Sequence, residues 1–135
     1  MAQTHPTGYI LIVDDDADIR FALRLFFEGE GYGVAEAQHG GVALDYLRQT
    51  SHRCVVLLDI NMPQVSGITV LQTVQADAAL YQRHAYCVMT AQDATLPIDL
   101  ARLMGTMPIR LIGKPFDLIH LLSVVTAAQA RLTQP

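Results

Sequence analysis

A doubly wound α/β fold with a parallel sheet is the expectation from this 135-residue sequence, and three observations carry it. Short, uninterrupted apolar runs recur, the clearest being Cys54-Val55-Val56-Leu57-Leu58. Runs of that length, closed by turn residues, read as strands buried on both faces. Between them lie segments whose apolar residues follow helical spacing, and strand–helix alternation five times over is the pattern of a parallel sheet covered on both sides. Each of four strands also ends on a residue able to do chemistry: Asp14-Asp15-Asp16, Asp59, Thr90 and Lys114.

The elements follow in order. Tyr9 to Val13 is the first strand, and Ile19, Ala22, Leu23, Phe26 and Phe27 mark the inner face of the first helix, which Gly29 and Gly31 stop. A strand over Gly33–Ala37 precedes a helix opened by Gly40-Gly41 and carrying Val42, Leu44 and Leu47. The strand ending in Asp59 leads through Pro63 and Gly67 to a helix with Ile68, Leu71 and Val74. Ala85 to Met89 is the fourth strand, followed by a short helix near Leu96 to Met104 with Pro97 in its first turn. Ile109 to Gly113 is the fifth strand. Asp117 caps the last helix, with Leu118, Leu121, Leu122, Val125 and Leu132 inward and Ile119, Val124, Ala127 and Ala130 outward. The full expectation is a flavodoxin-like three-layer sandwich: five parallel strands in the order 2-1-3-4-5 with five helices. It has a tail over residues 1–8, one domain over 9–132 and a short tail over 133–135.

Composition narrows the function. One core suits this length. Charged residues make up 16% of the chain and the net charge is −4, so no basic stripe argues for direct nucleic-acid binding. The polar N-terminus has no signal-peptide core and no apolar run approaches a membrane span. Cys54 and Cys87 fall inside strands as small buried hydrophobes, which predicts a reduced, cytoplasmic protein. The five histidines show no zinc spacing and read as solvated.

In the strand order 2-1-3-4-5 the switch point lies between the first and third strands, and ligands collect there. Asp14, Asp15 and Asp59 would then share one crevice, with Thr90 and Lys114 on its rim. Carboxylates so gathered repel unless a cation neutralises them. Oxygen donors with room for water suit Mg²⁺, with Mn²⁺ as a substitute. A carboxylate beside such a cation can attack phosphorus to form an acyl phosphate. The metal, Lys114 and the Thr90 hydroxyl would spread the transferring charge, and the small Ala91 leaves room for the group. Taken singly, each feature has an ordinary reading as a turn, a cap or a solvated loop; together, at four strand ends, they define a site.

This set resembles the receiver domain of two-component response regulators. The matching residues are Ile12-Val13-Asp14-Asp15-Asp16, Leu57-Leu58-Asp59-Ile60-Asn61-Met62-Pro63 with Gly67, Met89-Thr90-Ala91, and Lys114-Pro115-Phe116. The resemblance spans Tyr9 to Leu132. It implies that Asp59 accepts a phosphoryl group from a phosphohistidine of a sensor histidine kinase or histidine phosphotransfer protein. Asp14, Asp15, Asp59 and the backbone carbonyl of Asn61 would hold Mg²⁺, Lys114 would pair with the phosphoryl group, and Thr90 would move toward it. Asn61 and Gln92 stand where the family tunes phosphoaspartate lifetime. Two departures concern the readout. Leu111 replaces the aromatic residue three positions before the lysine. The stretch from Gly105 to Lys114 is about two residues longer than usual, through Thr106, Met107 and Pro108. A downstream output domain or protein, or a homodimer through the fourth helix, fifth strand and fifth helix, would read the switch. The first strand lies close to Met1, the expectation for an N-terminal receiver; a stand-alone regulator, a relay intermediate and a fragment of a longer protein stay open. The domain would catalyse only its own phosphorylation and dephosphorylation. Two rival readings are a pseudo-receiver that binds partners without phosphorylation and a haloacid-dehalogenase-type phosphatase, whose opening motif Asp14-x-Asp16 imitates.

Overall fold

The computed structural model describes residues 6–62, 65–91 and 95–133. Strands β1 (Tyr9–Val13), β2 (Gly33–Ala37), β3 (Cys54–Asp59), β4 (Ala85–Ala91) and β5 (Ile109–Lys114) form one parallel sheet in the order β2-β1-β3-β4-β5, as expected. Helices α1 (Ala17–Gly29), α2 (Gly40–Gln49), α3 (Gly67–Gln75), α4 (Ala78–Arg83), α5 (Ile98–Met104) and α6 (Leu118–Thr133) cover it.

All six residues of β3 are buried, because helices close both faces of the central strand. Alternate residues face two apolar clusters. Leu11, Val56, Leu58 and Val88 pack with α2, α3 and α5 on one side. Ile10, Leu57, Cys87 and Met89 pack with Leu23, Phe27, Leu121 and Val125 of α1 and α6 on the other. Truncating Leu57 to alanine in such a setting costs about 2–5 kcal/mol.

Among the described residues six helices replace the expected five. The third helical segment breaks at Ala76, where the Asp77 carboxylate accepts from Ala79 N (3.1 Å) and Leu80 N (3.3 Å) and so starts α4. Asp-Ala-Ala is an N-cap signal, and here it outweighs continued helix. Other caps follow the sequence: Asp16 on α1, Ser66 on α3 and Asp117 on α6, whose carboxylate accepts from Ile119 N at 2.8 Å.

The face of α6 also needs correction. Leu118 is 42% exposed rather than inward and Val124 packs against the core, while Leu121, Val125 and Ala128 form the buried stripe. Ala22 of α1 is also exposed, and α5 starts at Ile98 rather than Leu96.

Not every histidine is merely solvated. His39 caps α2, its Nδ1 accepting from Gly41 N at 3.1 Å. His84 is buried, and its Nδ1 accepts the Cys54 N–H at 3.0 Å, joining the starts of β3 and β4. Burial pushes its pKa down from 6.5 to about 4 and raises the thiols of Cys54 and Cys87 to about 11 and about 12. Both cysteines are free and buried, as expected of small hydrophobes.

Candidate functional site

Parallel register builds the site. Val13 pairs with Leu58, so the next residues, Asp14 and Asp59, emerge side by side at the carboxyl edge of the sheet. Thr90 lies opposite Gly113 and Ala91 opposite Lys114, which brings the ends of β4 and β5 to the same edge. One oxygen from each of Asp14, Asp15 and Asp59 can be chosen so that all three lie within 4.8 Å of one another. Asp14 and Asp59 are buried; Asp15 is exposed.

Lys114 bridges the two buried acids. Its Nζ stands 3.0 Å from Asp14 Oδ2 and 3.7 Å from Asp59 Oδ1. Among the described residues one cation faces three carboxylates, which leaves the cluster short of positive charge. At an effective dielectric of about 20, two such anions no more than 4.8 Å apart repel by roughly 3 kcal/mol or more. The pKa of Asp59 is raised, first by burial, with Asp14 and Asp15 adding to it, against lowering by the Asn61 N–H and Lys114. Asp59 Oδ1 accepts that N–H at 3.2 Å.

The loops are held in place. Asp14 Oδ1 accepts from Asp16 N at 2.9 Å. The Asp16 carboxylate is spent on capping α1 through Asp18 N and Ile19 N, so the Asp14-x-Asp16 pair does not act as two site acids. After β3, Ile60 N donates to Met89 O and Gly67 N donates to Ile60 O. Glycine is required at position 67: a Cβ there would lie 2.6 Å from the Asp59 carbonyl oxygen and 2.9 Å from Ile60 Cα. Thr90 is buried beside the acids' edge, and Ala91 is exposed at the end of β4. Leu111 sits opposite Val88 and is half-buried against the α2/α3/α5 cluster. Gln92 lies outside the described residues.

Arg20 of α1 is not among the residues that the sequence pattern singles out. Its Nη1 donates to the Asp14 backbone carbonyl at 2.7 Å and its Nε to Glu36 Oε1 at 3.0 Å, tying the acidic loop to α1 and β2. Arg24 Nε reaches the other Glu36 oxygen at 2.6 Å, and this contact chiefly holds the Glu36 carboxyl below its ordinary range. The signal was an i, i+4 arginine pair with a lone acid on the neighbouring strand.

Three oxygen-bearing side chains converging without nitrogen or sulfur suit a hard, small divalent cation such as Mg²⁺, and the uncompensated negative charge favours one.

The sequence matches the family described as response regulator receiver domain over residues 10–126. The chain belongs to that family. It is similar to the transcriptional regulatory protein FixJ of Bradyrhizobium diazoefficiens, 29% identical over 122 residues, which are 90% of this chain and 56% of that protein. It is similar also to the DNA-binding response regulator MtrA of Mycobacterium tuberculosis, 32% identical over 90% of this chain and 50% of that protein. The chain thus spans about half the length of these relatives. Among solved structures it resembles a CheY-like receiver domain protein from Methanospirillum hungatei JF-1, with a TM-score of 0.81 and 31% identity over 93% of this chain and 97% of that one. The protein is a receiver domain of the two-component response regulators, a signalling domain, and no finding favours the phosphatase reading. Among the described residues no helix is long and apolar enough to cross a membrane.

Proposed function

We propose that Asp59 is the phosphoacceptor, and the observation carrying this reading is the Asp59–Lys114–Asp14 cluster beside exposed Asp15 at the carboxyl edge of the sheet. A carboxylate oxygen of Asp59 attacks phosphorus; the bond from phosphorus to the donor's imidazole nitrogen breaks, and the electron pair leaves with the imidazole. Asp14, Asp15, Asp59 and the Asn61 carbonyl would hold Mg²⁺, which supplies charge neutralisation on the transferring oxygens.

The remaining work falls to the chain. The Asn61 N–H bond to Oδ1 fixes the Asp59 carboxylate plane. Lys114, already within 3.7 Å of Asp59, turns from Asp14 to the phosphoryl oxygens once a divalent cation satisfies Asp14. Thr90 offers a hydroxyl to the same group, and Ala91 keeps the approach open. Asn61 and Gln92 carry uncharged amides near the path of hydrolytic water and set the lifetime of the phosphorylated state. Leu111 moves with Thr90 by changing rotamer rather than by swinging a ring.

The donor is a cytoplasmic sensor histidine kinase or phosphotransfer protein, and the readout is an output domain or protein partner. The domain's only catalysis is on itself. Incubation with Mg²⁺ and acetyl phosphate should give one phosphoryl adduct by intact-mass measurement, absent in Asp59→Asn and without the metal. No adduct from acetyl phosphate or from a phosphorylated histidine donor would remove the reading and leave the pseudo-receiver in its place.

A further inference from the structure

A second concave site lies at the opposite, amino-terminal edge of the sheet. It encloses about 260 Å³ between the starts of β4 and β5, helix α4 and the end of α6. Tyr81, Tyr86, Met107, Pro108 and Leu132 supply apolar walls, with Arg53 and Arg131 among the lining residues. Both tyrosine hydroxyls are already committed, Tyr81 to the Thr106 carbonyl at 3.3 Å and Tyr86 to the Leu80 carbonyl at 2.8 Å. Their rings are therefore fixed as walls.

Arg53 and Arg83 precede β3 and β4, and Arg131 lies in the last turn of α6 beside them, while Asp14, Asp15 and Asp59 lie at the opposite edge with Lys114. Among the described residues, Arg53 and Arg131 form no ion pair, although the chain as a whole is acidic. The other polar wall, His84, spends Nδ1 on the Cys54 N–H. The lead-in to β5 helps build the cavity: Met107 is buried, its N–H bonded to Leu103 O at 2.9 Å, and Pro108 lines the same wall.

We propose that this basal cavity is a binding site for a small organic anion, a carboxylate on an apolar body of about ring size, with Arg53 and Arg131 taking the charge and Tyr81, Met107 and Leu132 taking the body. Arginine presents a planar pair of donors that matches a carboxylate. The volume lies just below the usual range for drug-sized ligands, which sets the size limit. The site shares no residue with the Asp59 cluster, so it stands or falls independently of phosphorylation.

The test is an amide-resolved NMR titration of the full chain with benzoate, with benzamide as its neutral isostere. Benzoate should give saturable shifts at Ala85, Tyr86, Met107 and Leu132, and benzamide should bind at least about tenfold more weakly, a difference of roughly 1.4 kcal/mol. Arg131→Gln and Arg53→Gln, both at exposed positions, should each weaken benzoate while leaving the melting temperature and acetyl-phosphate adduct unchanged. The proposal is overturned by equal binding of benzamide, by shifts centred on Asn61 and Lys114 instead, by wild-type affinity in both variants, or by no saturable shift at all.

Discussion

Lys114 reaches across 100 positions of sequence to place its ammonium 3.0 Å from the buried Asp14 carboxylate. That contact closes the acidic crevice with the one cation, among the described residues, within bridging distance of two of its acids. It also means that the lysine competes with a divalent cation for the same negative charge. Removing it in Lys114→Met should therefore tighten Mg²⁺ binding by about three- to tenfold, a Coulombic gain near 1 kcal/mol, while phosphorylation from acetyl phosphate falls steeply. Calorimetric titration with Mg²⁺ reads the first effect. Weaker metal binding in the variant would show that Lys114 organises the acids rather than competing with the ion.

Asp59 has a raised pKa in the metal-free protein, chiefly from burial. A carboxyl group with a raised folded pKa contributes most below its ordinary value of 3.8 and loses that contribution as pH climbs through the folded value. At neutral pH the ionised group is thus a burden on the fold. Asp59→Asn should raise the melting temperature measured in EDTA at pH 7, by the equivalent of about 1 kcal/mol, and should narrow the gain from added Mg²⁺. A variant that melts lower than wild type in EDTA would contradict this.

Two glycines give opposite expectations for the same substitution. At Gly67 a methyl group meets the backbone of Asp59 and Ile60, which cannot turn aside. Gly67→Ala should cost about 2 kcal/mol or more by denaturant melts and slow phosphorylation by displacing the Asp59 loop. At Gly29, the last residue of α1, nothing lies within 4 Å of the added Cβ. Gly29→Ala should stabilise by about 0.5 kcal/mol and leave phosphorylation untouched.

His84 predicts the acid limit. Its folded pKa is about 4 against 6.5 for the free side chain, so the unfolded chain binds the extra proton between those values. Stability should then fall as pH drops from 6.5 toward 4, by roughly 2 kcal/mol after allowance for partial solvation. In His84→Gln that slope should flatten, whatever the variant's absolute stability, because no titrating ring remains. Urea midpoints at half-unit pH steps measure it; an unchanged slope would place the acid sensitivity elsewhere.

Much of this protein is written locally. An apolar run closed by Asp59, repeated with variations at Asp14 and Thr90, specifies buried parallel strands and marks their chemical ends, because a strand covered on both faces tolerates no alternation; the run before Lys114 forms the half-buried edge strand β5. The candidate site residues are picked out by that grammar, and the sheet register brings Asp14 and Asp59 side by side. Tertiary structure decided the matters that depend on which layers meet. It brought the Tyr86 hydroxyl of β4 to the Leu80 carbonyl of α4. It exposed Leu118, and it gave His84 a buried partner 30 residues away. It also recruited Arg20 to the Asp14 carbonyl and gathered Arg53, Tyr81, Met107 and Arg131 around one cavity. Periodicity reports which face of an element is apolar; only the assembled layers report what each polar group finds there, because those partners are set by distances between segments far apart in the chain.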